Sequence, residues 1–185
     1  MSGRLIYVMG PSGAGKDSLM RYARQRLADC GEVLFAHRYI TRPADAGSEN
    51  HIALSEAEFR ARCCQGCFAL TWEAHGLSYG IGREIDLWLA ADINVAINGS
   101  REYFPTARSR YPDIVGVLVE ASPEVLAARL AERGRESAAA CAARLQRAVE
   151  TAAADGVIRL SNDGPLELAG ERLVNLMRQA ASVTG

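Results

Sequence analysis

Of the 21 basic residues in the chain only one is a lysine, Lys16, and it closes the run Gly10-Pro11-Ser12-Gly13-Ala14-Gly15-Lys16. The spacing G-x-x-x-x-G-K suits the capture of phosphate. Glycines permit a tight path and let the backbone approach a ligand closely. Successive N–H groups of such a loop converge on an anion at the positive end of the following helix. An ammonium at the end of the loop reaches the β- and γ-phosphates. An apolar run, Arg4–Met9, precedes the loop and a helical pattern follows it, which is the context of a nucleoside triphosphate site. Gly10, Pro11, Ser12, Gly13, Ala14, Gly15, Lys16, Asp17 and Ser18 are therefore the candidate contacts for ATP, with Lys16 also catalytic. A glycine-rich helix cap with a solvated lysine is the plain alternative.

The residue after the lysine departs from the pattern. Ser or Thr is expected there, with its hydroxyl on Mg²⁺, and this chain has Asp17 followed by Ser18. An acid in a first helical turn is favoured by the helix dipole alone. It could equally supply a carboxylate to the cation, directly or through water. Asp17 is thus the candidate metal residue and Mg²⁺ the expected partner of ATP.

These residues need elements to hold them. Asp17–Asp29 carries Leu19, Met20, Ala23 and Leu27 at helical spacing. Glu32–Thr41 reads as extended, residues 43–50 as a polar loop, and Ser55 as the cap of a helix running to about Cys64. Phe68–Trp72 and Leu77–Tyr79 form a hairpin around His75-Gly76. Arg83–Ala91 and Arg101–Arg110 read as helices on either side of a buried strand, Ile93–Ile97. Ile114–Val119 is a further strand, with Ser122 and Pro123 opening a helix to Arg133. A helix over about 137–153, a strand Val157–Leu160 and a helix Leu166–Ala181 complete the chain. Strands alternating with helices predict an α/β fold whose parallel sheet is covered on both faces.

Composition narrows the function. The chain has 185 residues, 49% of them hydrophobic, and a net charge of −1, which suits one domain with a full core. Balanced charge leaves no electrostatic footprint for nucleic acid or an anionic membrane. The longest apolar stretches are too short to span a bilayer. Met1-Ser2-Gly3-Arg4 leads into the first strand without a secretory pattern, so a cytoplasmic protein is expected. Nothing in the sequence reveals the oligomeric state. The cysteines are Cys30, Cys63, Cys64, Cys67 and Cys141, an odd set that argues against a disulfide framework. Cys64-Gln65-Gly66-Cys67 lacks a second pair for zinc and follows a helix rather than opening one, so these thiols read as buried or incidental.

The phosphate loop and several further segments together resemble the guanylate kinase-like family. Thr41-Arg42-Pro43 is similar to its phosphate-gripping segment, and Phe68 to Gly80 to its acceptor-lobe hairpin. Arg129-Leu130-Ala131-Glu132-Arg133-Gly134-Arg135-Glu136, followed by Arg144-Leu145, resembles its lid. Asn162-Asp163 resembles the Asn-Asp pair near its adenine. The resemblance implies a three-layer P-loop kinase fold with a parallel central sheet, a small acceptor-binding lobe and a helical lid. Its parts would be a core of residues 1–37, 82–128 and 155–185, a lobe of 38–81 and a lid of 129–154, all in a single domain. It implies Arg129 and Asn162 at the nucleotide, Arg133 and Arg144 as catalytic lid arginines, and Arg38, Arg42, Tyr79, Arg101 and Arg135 at the acceptor.

The acceptor lobe departs from the family in one direction. The guanine-binding glutamate of the hairpin is Leu70 here, and a guanine-contacting serine is Arg38. The two-Tyr pattern before glycine is Ser78-Tyr79, and the D-x-D-x-Q-G strand is Asn94-Val95-Ala96-Ile97-Asn98-Gly99. Leaving guanine N–H groups unpaired would cost about 1–3 kcal/mol. Lys16-Asp17-Ser18, Arg38-Tyr39-Ile40-Thr41-Arg42-Pro43 and Asn98-Gly99-Ser100-Arg101 instead resemble the ribose 1,5-bisphosphate phosphokinases, a branch of this family in phosphonate catabolism. That branch implies a phosphorylated sugar as acceptor and 5-phosphoribosyl 1-diphosphate as product. A nucleoside monophosphate kinase, and more remotely a non-catalytic binding scaffold, are the alternatives. His37, His51, His75 and Trp72 read as structural.

Overall fold

A computed structural model describes residues 3–31, 33–43, 51–132 and 156–182. Five parallel strands, β1 (Leu5–Met9), β2 (Val33–Phe35), β7 (Asn94–Asn98), β8 (Val115–Glu120) and β9 (Ile158–Ser161), form the central sheet in the order β2-β7-β1-β8-β9. Side chains alternate across a strand, and in β1 that period divides two cores. Leu5, Tyr7 and Met9 enter one apolar cluster with Ile85, Leu89, Ile97 and Phe104. Ile6 and Val8 enter the other with Leu19, Ala23, Leu126, Leu173 and Met177. A strand buried on both faces reads as continuously apolar, and all five residues of β1 are buried.

Helices cover both faces. α1 (Lys16–Arg26), α5 (Pro123–Glu132) and α6 (Leu166–Ser182) supply residues to the second cluster. α3 (Glu84–Ala90) and α4 (Phe104–Arg110) supply the first. The three layers of the expected α/β P-loop kinase fold are therefore present. No helix among the described residues is long and apolar enough to cross a membrane.

The small lobe is built on a second sheet in the order β4-β3-β6-β5, made of β3 (Arg38–Ile40), β4 (Ile52–Ala53), β5 (Phe68–Ala74) and β6 (Leu77–Gly82). α2 (Glu56–Cys64) precedes β5, and its cap Ser55 accepts from Glu58 N as the sequence predicts. His75 and Gly76 turn the hairpin with φ of 53° and 72°, the two positive values that match a turn to the twist of its strands. Ile40, Leu70, Trp72, Tyr79 and Ile81 join the first core cluster, so the lobe packs continuously with that face of the central sheet.

Three local expectations are corrected. Glu32–Thr41 is not one extended segment: β2 ends at Phe35 in the central sheet and β3 begins at Arg38 in the lobe sheet. The helix expected from Arg101 begins at Phe104, because 101–103 form a turn that follows Ser100, whose carbonyl accepts from the Tyr7 hydroxyl. Cys63, Cys64 and Cys67 are exposed and not buried, since they sit at the solvent-facing end of α2 and the turn after it. No group of three His, Cys, Asp or Glu side chains among the described residues is placed to hold a metal.

Candidate active site

The phosphate loop spans residues 10–15 between the end of β1 and the start of α1. Gly13 and Gly15 have φ of 88° and 87°, a left-handed region that favours glycine. A Cβ on Gly15 would run into the Asn162 amide, and one on Gly10 into the Val119 carbonyl oxygen. Lys16 Nζ donates to Gly10 O at 2.8 Å and to Pro11 O at 3.3 Å, so the ammonium lies over the loop that it would serve.

Asn162 and Arg129 are joined to this loop. Asn162 Nδ2 donates to Ala14 O at 2.7 Å, and Arg129 Nη2 donates to Asn162 O at 2.9 Å. Asn162 is buried, and both its Oδ1 and Arg129 Nη1 are buried without a hydrogen-bond partner. Unpaired buried polar atoms are costly, and they cluster where a ligand completes them. Asp163 anchors the segment by accepting from Ser122 N and from Ser161 Oγ, which holds its carboxyl below the usual range.

Asp17 meets a partner that its position in sequence does not suggest. Asn98 Nδ2, at the end of β7, donates to Asp17 Oδ1 at 2.8 Å. Asn98 is buried, and its own Oδ1 has no partner. Carboxylate and amide oxygens are hard donors suited to Mg²⁺, which takes one or two protein ligands and completes its shell with phosphates and water. The residues present therefore fit that cation.

Where the lobe meets the central sheet the structure gathers Arg38, Tyr79 and the 99–103 turn. The Arg38 guanidinium lies 5.3 Å from the Tyr79 ring centroid. Tyr79 stacks on Trp72, its cross-strand partner, and Trp72 stacks in turn on Tyr103, each with centroids 5.4 Å apart. Tyr7 donates its hydroxyl to Ser100 O at 2.8 Å, and Gly99 leaves no room for a Cβ against that ring. Burial pushes the Tyr7 phenol far up, so it stays a donor, while the Arg38 charge pulls the other way. Arg101, half-buried in the same turn, has its pKa lowered by desolvation.

Arg42, just beyond β3 on the lobe, is held by His51. Arg133, Arg135 and Arg144, the lid arginines of the sequence reading, lie outside the described residues. The sequence reading names Asn98 only as part of a motif and His51 only as a structural histidine, and it does not single out Tyr7. Asn98 carried a signal, a polar residue at the C-terminal end of a buried parallel strand where ligands bind in such sheets. His51 and Tyr7 carried none.

No protein-family model matches the chain. It is 57% identical over 179 residues to the ribose 1,5-bisphosphate phosphokinase PhnN of Thiobacillus denitrificans, covering 96% of this chain and 94% of that one. It is 55% identical over 177 residues to the protein of the same name from Chromobacterium violaceum, covering 96% and 95%. Among solved structures, guanylate kinase from Anaplasma phagocytophilum superposes with a TM-score of 0.70 over 96% of this chain and 86% of that one, at 17% identity, which is a likeness of fold. With such identities along nearly the whole of both sequences, the chain belongs to the ribose 1,5-bisphosphate phosphokinase family of guanylate kinase-like enzymes.

Proposed function

We propose that the protein transfers the γ-phosphate of ATP to the 1-phosphate of ribose 1,5-bisphosphate, giving 5-phosphoribosyl 1-diphosphate and ADP in phosphonate catabolism. The observation that carries this reading is the make-up of the acceptor lobe. Arg38 lies over Tyr79, while Leu70, where the family's hairpin has its guanine-binding glutamate, is sealed in the core. Such a lobe supplies cations and no base-reading acid, which suits a substrate with two phosphate monoesters and no base. The names of the relatives point the same way.

The attacking group is a phosphate oxygen already ionised near neutral pH, so no general base is required. Its oxygen forms the new bond to the γ-phosphorus as the bond from that phosphorus to the β–γ bridging oxygen breaks, and the pair of electrons leaves with ADP. Catalysis then reduces to alignment and neutralisation of charge. The backbone N–H groups of residues 10–18, except Pro11, which has none, cradle the nucleotide phosphates, and Lys16 follows the transferring group. Arg129 and Asn162 hold the nucleotide side of the loop. Arg38, Arg42, Tyr79 and Arg101 bind the acceptor. The resemblance assigns Arg133, Arg135 and Arg144, in a lid of residues 129–154 beside a lobe of 38–81 and the remaining core, to the reacting phosphates, and these three arginines lie outside the described residues. Asp17 would hold Mg²⁺, which would supply positive charge to neutralise the phosphate oxygens. The cytoplasm, where ATP is supplied, is the setting for this reaction.

The test is ADP release from Mg-ATP with ribose 1,5-bisphosphate and GMP as separate acceptors, with the product identified by phosphorus NMR. A new diphosphate on the sugar and no turnover of GMP is the expected result. Turnover of GMP alone would make the protein a nucleotide kinase, and nucleotide binding without either turnover would leave only a scaffold.

A further inference from the structure

Asp17 and Asn98 are 81 residues apart, yet a 2.8 Å hydrogen bond joins the second residue of α1 to the last residue of β7, the neighbour of β1. In P-loop NTPases the cation is held by a hydroxyl on the loop and an acid on a strand. Here the acid stands on the loop and a neutral amide stands at the strand end. We propose that Asn98 is a positioning residue for the nucleotide-bound Mg²⁺, acting through Asp17, so that the pair does with exchanged groups what a loop hydroxyl and a strand aspartate do elsewhere.

The chemistry of the two side chains makes them interdependent. A carboxylate only accepts hydrogen bonds, so the Asn98 side chain must present its Nδ2 to Asp17. That bond uses Oδ1, fixes the plane of the carboxyl group and thereby aims Oδ2. An acid at both positions would place two carboxylates within hydrogen-bonding distance, where like charge opposes ionisation of one of them. A hydroxyl at 17 with an amide at 98 would leave no anionic ligand. One carboxylate and one neutral donor satisfies both demands. The Asn98 Oδ1, buried without a partner, leaves this amide one further acceptor at the site.

The inference rests on the reading that the protein works on Mg-ATP, and its test is kept separate from turnover. Mn²⁺, which reports on Mg²⁺ sites by electron paramagnetic resonance, is titrated into the protein–ADP complex. The wild type is compared with Asp17→Ala, Asn98→Ala, the double alanine variant, and Asp17→Ser combined with Asn98→Asp. ADP affinity without metal and the thermal midpoint are measured beside it. Asn98→Ala is expected to weaken Mn²⁺ about tenfold, with metal-free ADP affinity changed less than about twofold. In the Asp17→Ala background the same change should add nothing, because Asn98 acts through the missing carboxylate. The Ser/Asp exchange should recover Mn²⁺ affinity to within about threefold of wild type. An unchanged Mn²⁺ affinity in Asn98→Ala, or an equal loss with and without Asp17, overturns the proposal, as does a wild-type complex that takes up no Mn²⁺. If Asn98→Ala does not fold, the Ser/Asp exchange decides alone, and failure to recover affinity overturns the proposal. Loss of the sugar-kinase reading would appear differently, as wild-type protein that binds Mn²⁺ and ADP but leaves ribose 1,5-bisphosphate untouched.

Discussion

His51 holds Arg42 through both nitrogens of its ring: Nδ1 lies 3.3 Å from Arg42 Nη2 and Nε2 lies 3.2 Å from the Arg42 carbonyl oxygen. A guanidinium has no acceptor and a carbonyl has no proton, so Nδ1 accepts and Nε2–H donates. The neutral Nε2–H tautomer is the one that satisfies both contacts. His51 is itself buried, at 8% exposure, on the residue that enters β4. The arginine proposed to grip an acceptor phosphate is therefore braced at its head and at its backbone by one side chain.

Removing that brace should loosen Arg42 without touching the nucleotide side. His51→Ala is expected to raise the KM for ribose 1,5-bisphosphate about tenfold, in line with loss of a hydrogen bond to a charged group. The KM for ATP should stay within about twofold, since residues 10–18 lie on another element. His51→Gln, which keeps a donor and an acceptor, should recover part of the loss. Steady-state kinetics with each substrate varied in turn separates the two constants.

Gly15→Ala tests the fit of the phosphate loop against Asn162. The new methyl would strike the Asn162 amide and would have to adopt φ near 87°. A left-handed conformation in a residue with a Cβ costs about 1–3 kcal/mol. The expected outcome is a lower thermal midpoint and ATP affinity reduced at least tenfold, read by calorimetry and by nucleotide titration.

Leu70→Glu asks whether restoring an acid to the hairpin restores guanine recognition. Leu70 is 2% exposed in a cluster with Trp72, Tyr79 and Ile81. A carboxylate there is buried without a partner, and the expected cost is about 3 kcal/mol or more in unfolding free energy. GMP should remain inert in the kinase assay, because the surrounding packing excludes the base along with water.

Asp163 predicts a dependence of stability on acid. The Ser122 N–H first, and the Ser161 hydroxyl second, hold its carboxyl below the ordinary range. A depressed folded-state pKa means that the contribution is complete above the unfolded value of about 3.9 and is lost as pH falls through the lower folded value. Asp163→Ala should therefore lower the thermal midpoint at pH 7, and the gap to wild type should close as pH drops below about 4. Melting curves over pH 2–7 would show it, and a gap constant with pH would contradict the assignment.

Much of this architecture was legible in one dimension because its causes are local. The apolar periods of β1, α1 and β8 state which faces are buried, Ser55 and Ser122 cap helices by bonds three residues long, and the glycines of the phosphate loop mark where the backbone must turn. The order of elements followed from these, and so did the place of the loop residues. What the tertiary structure alone decided is which distant groups meet. An extended segment from 32 to 41 does not announce that Phe35 belongs to one sheet and Arg38 to another, because the pleat is the same in both. Asp17 reads equally as a helix-dipole acid and as a metal residue, and its partner appears only when β7 is laid beside β1 and brings Asn98 to it. Arg42 reads as an acceptor arginine, but nothing in one dimension shows that β4, paired with β3, carries His51 alongside to brace it. Periodicity fixes the face a residue takes, whereas its polar partner depends on sheet order and register, which are settled by packing across the whole chain.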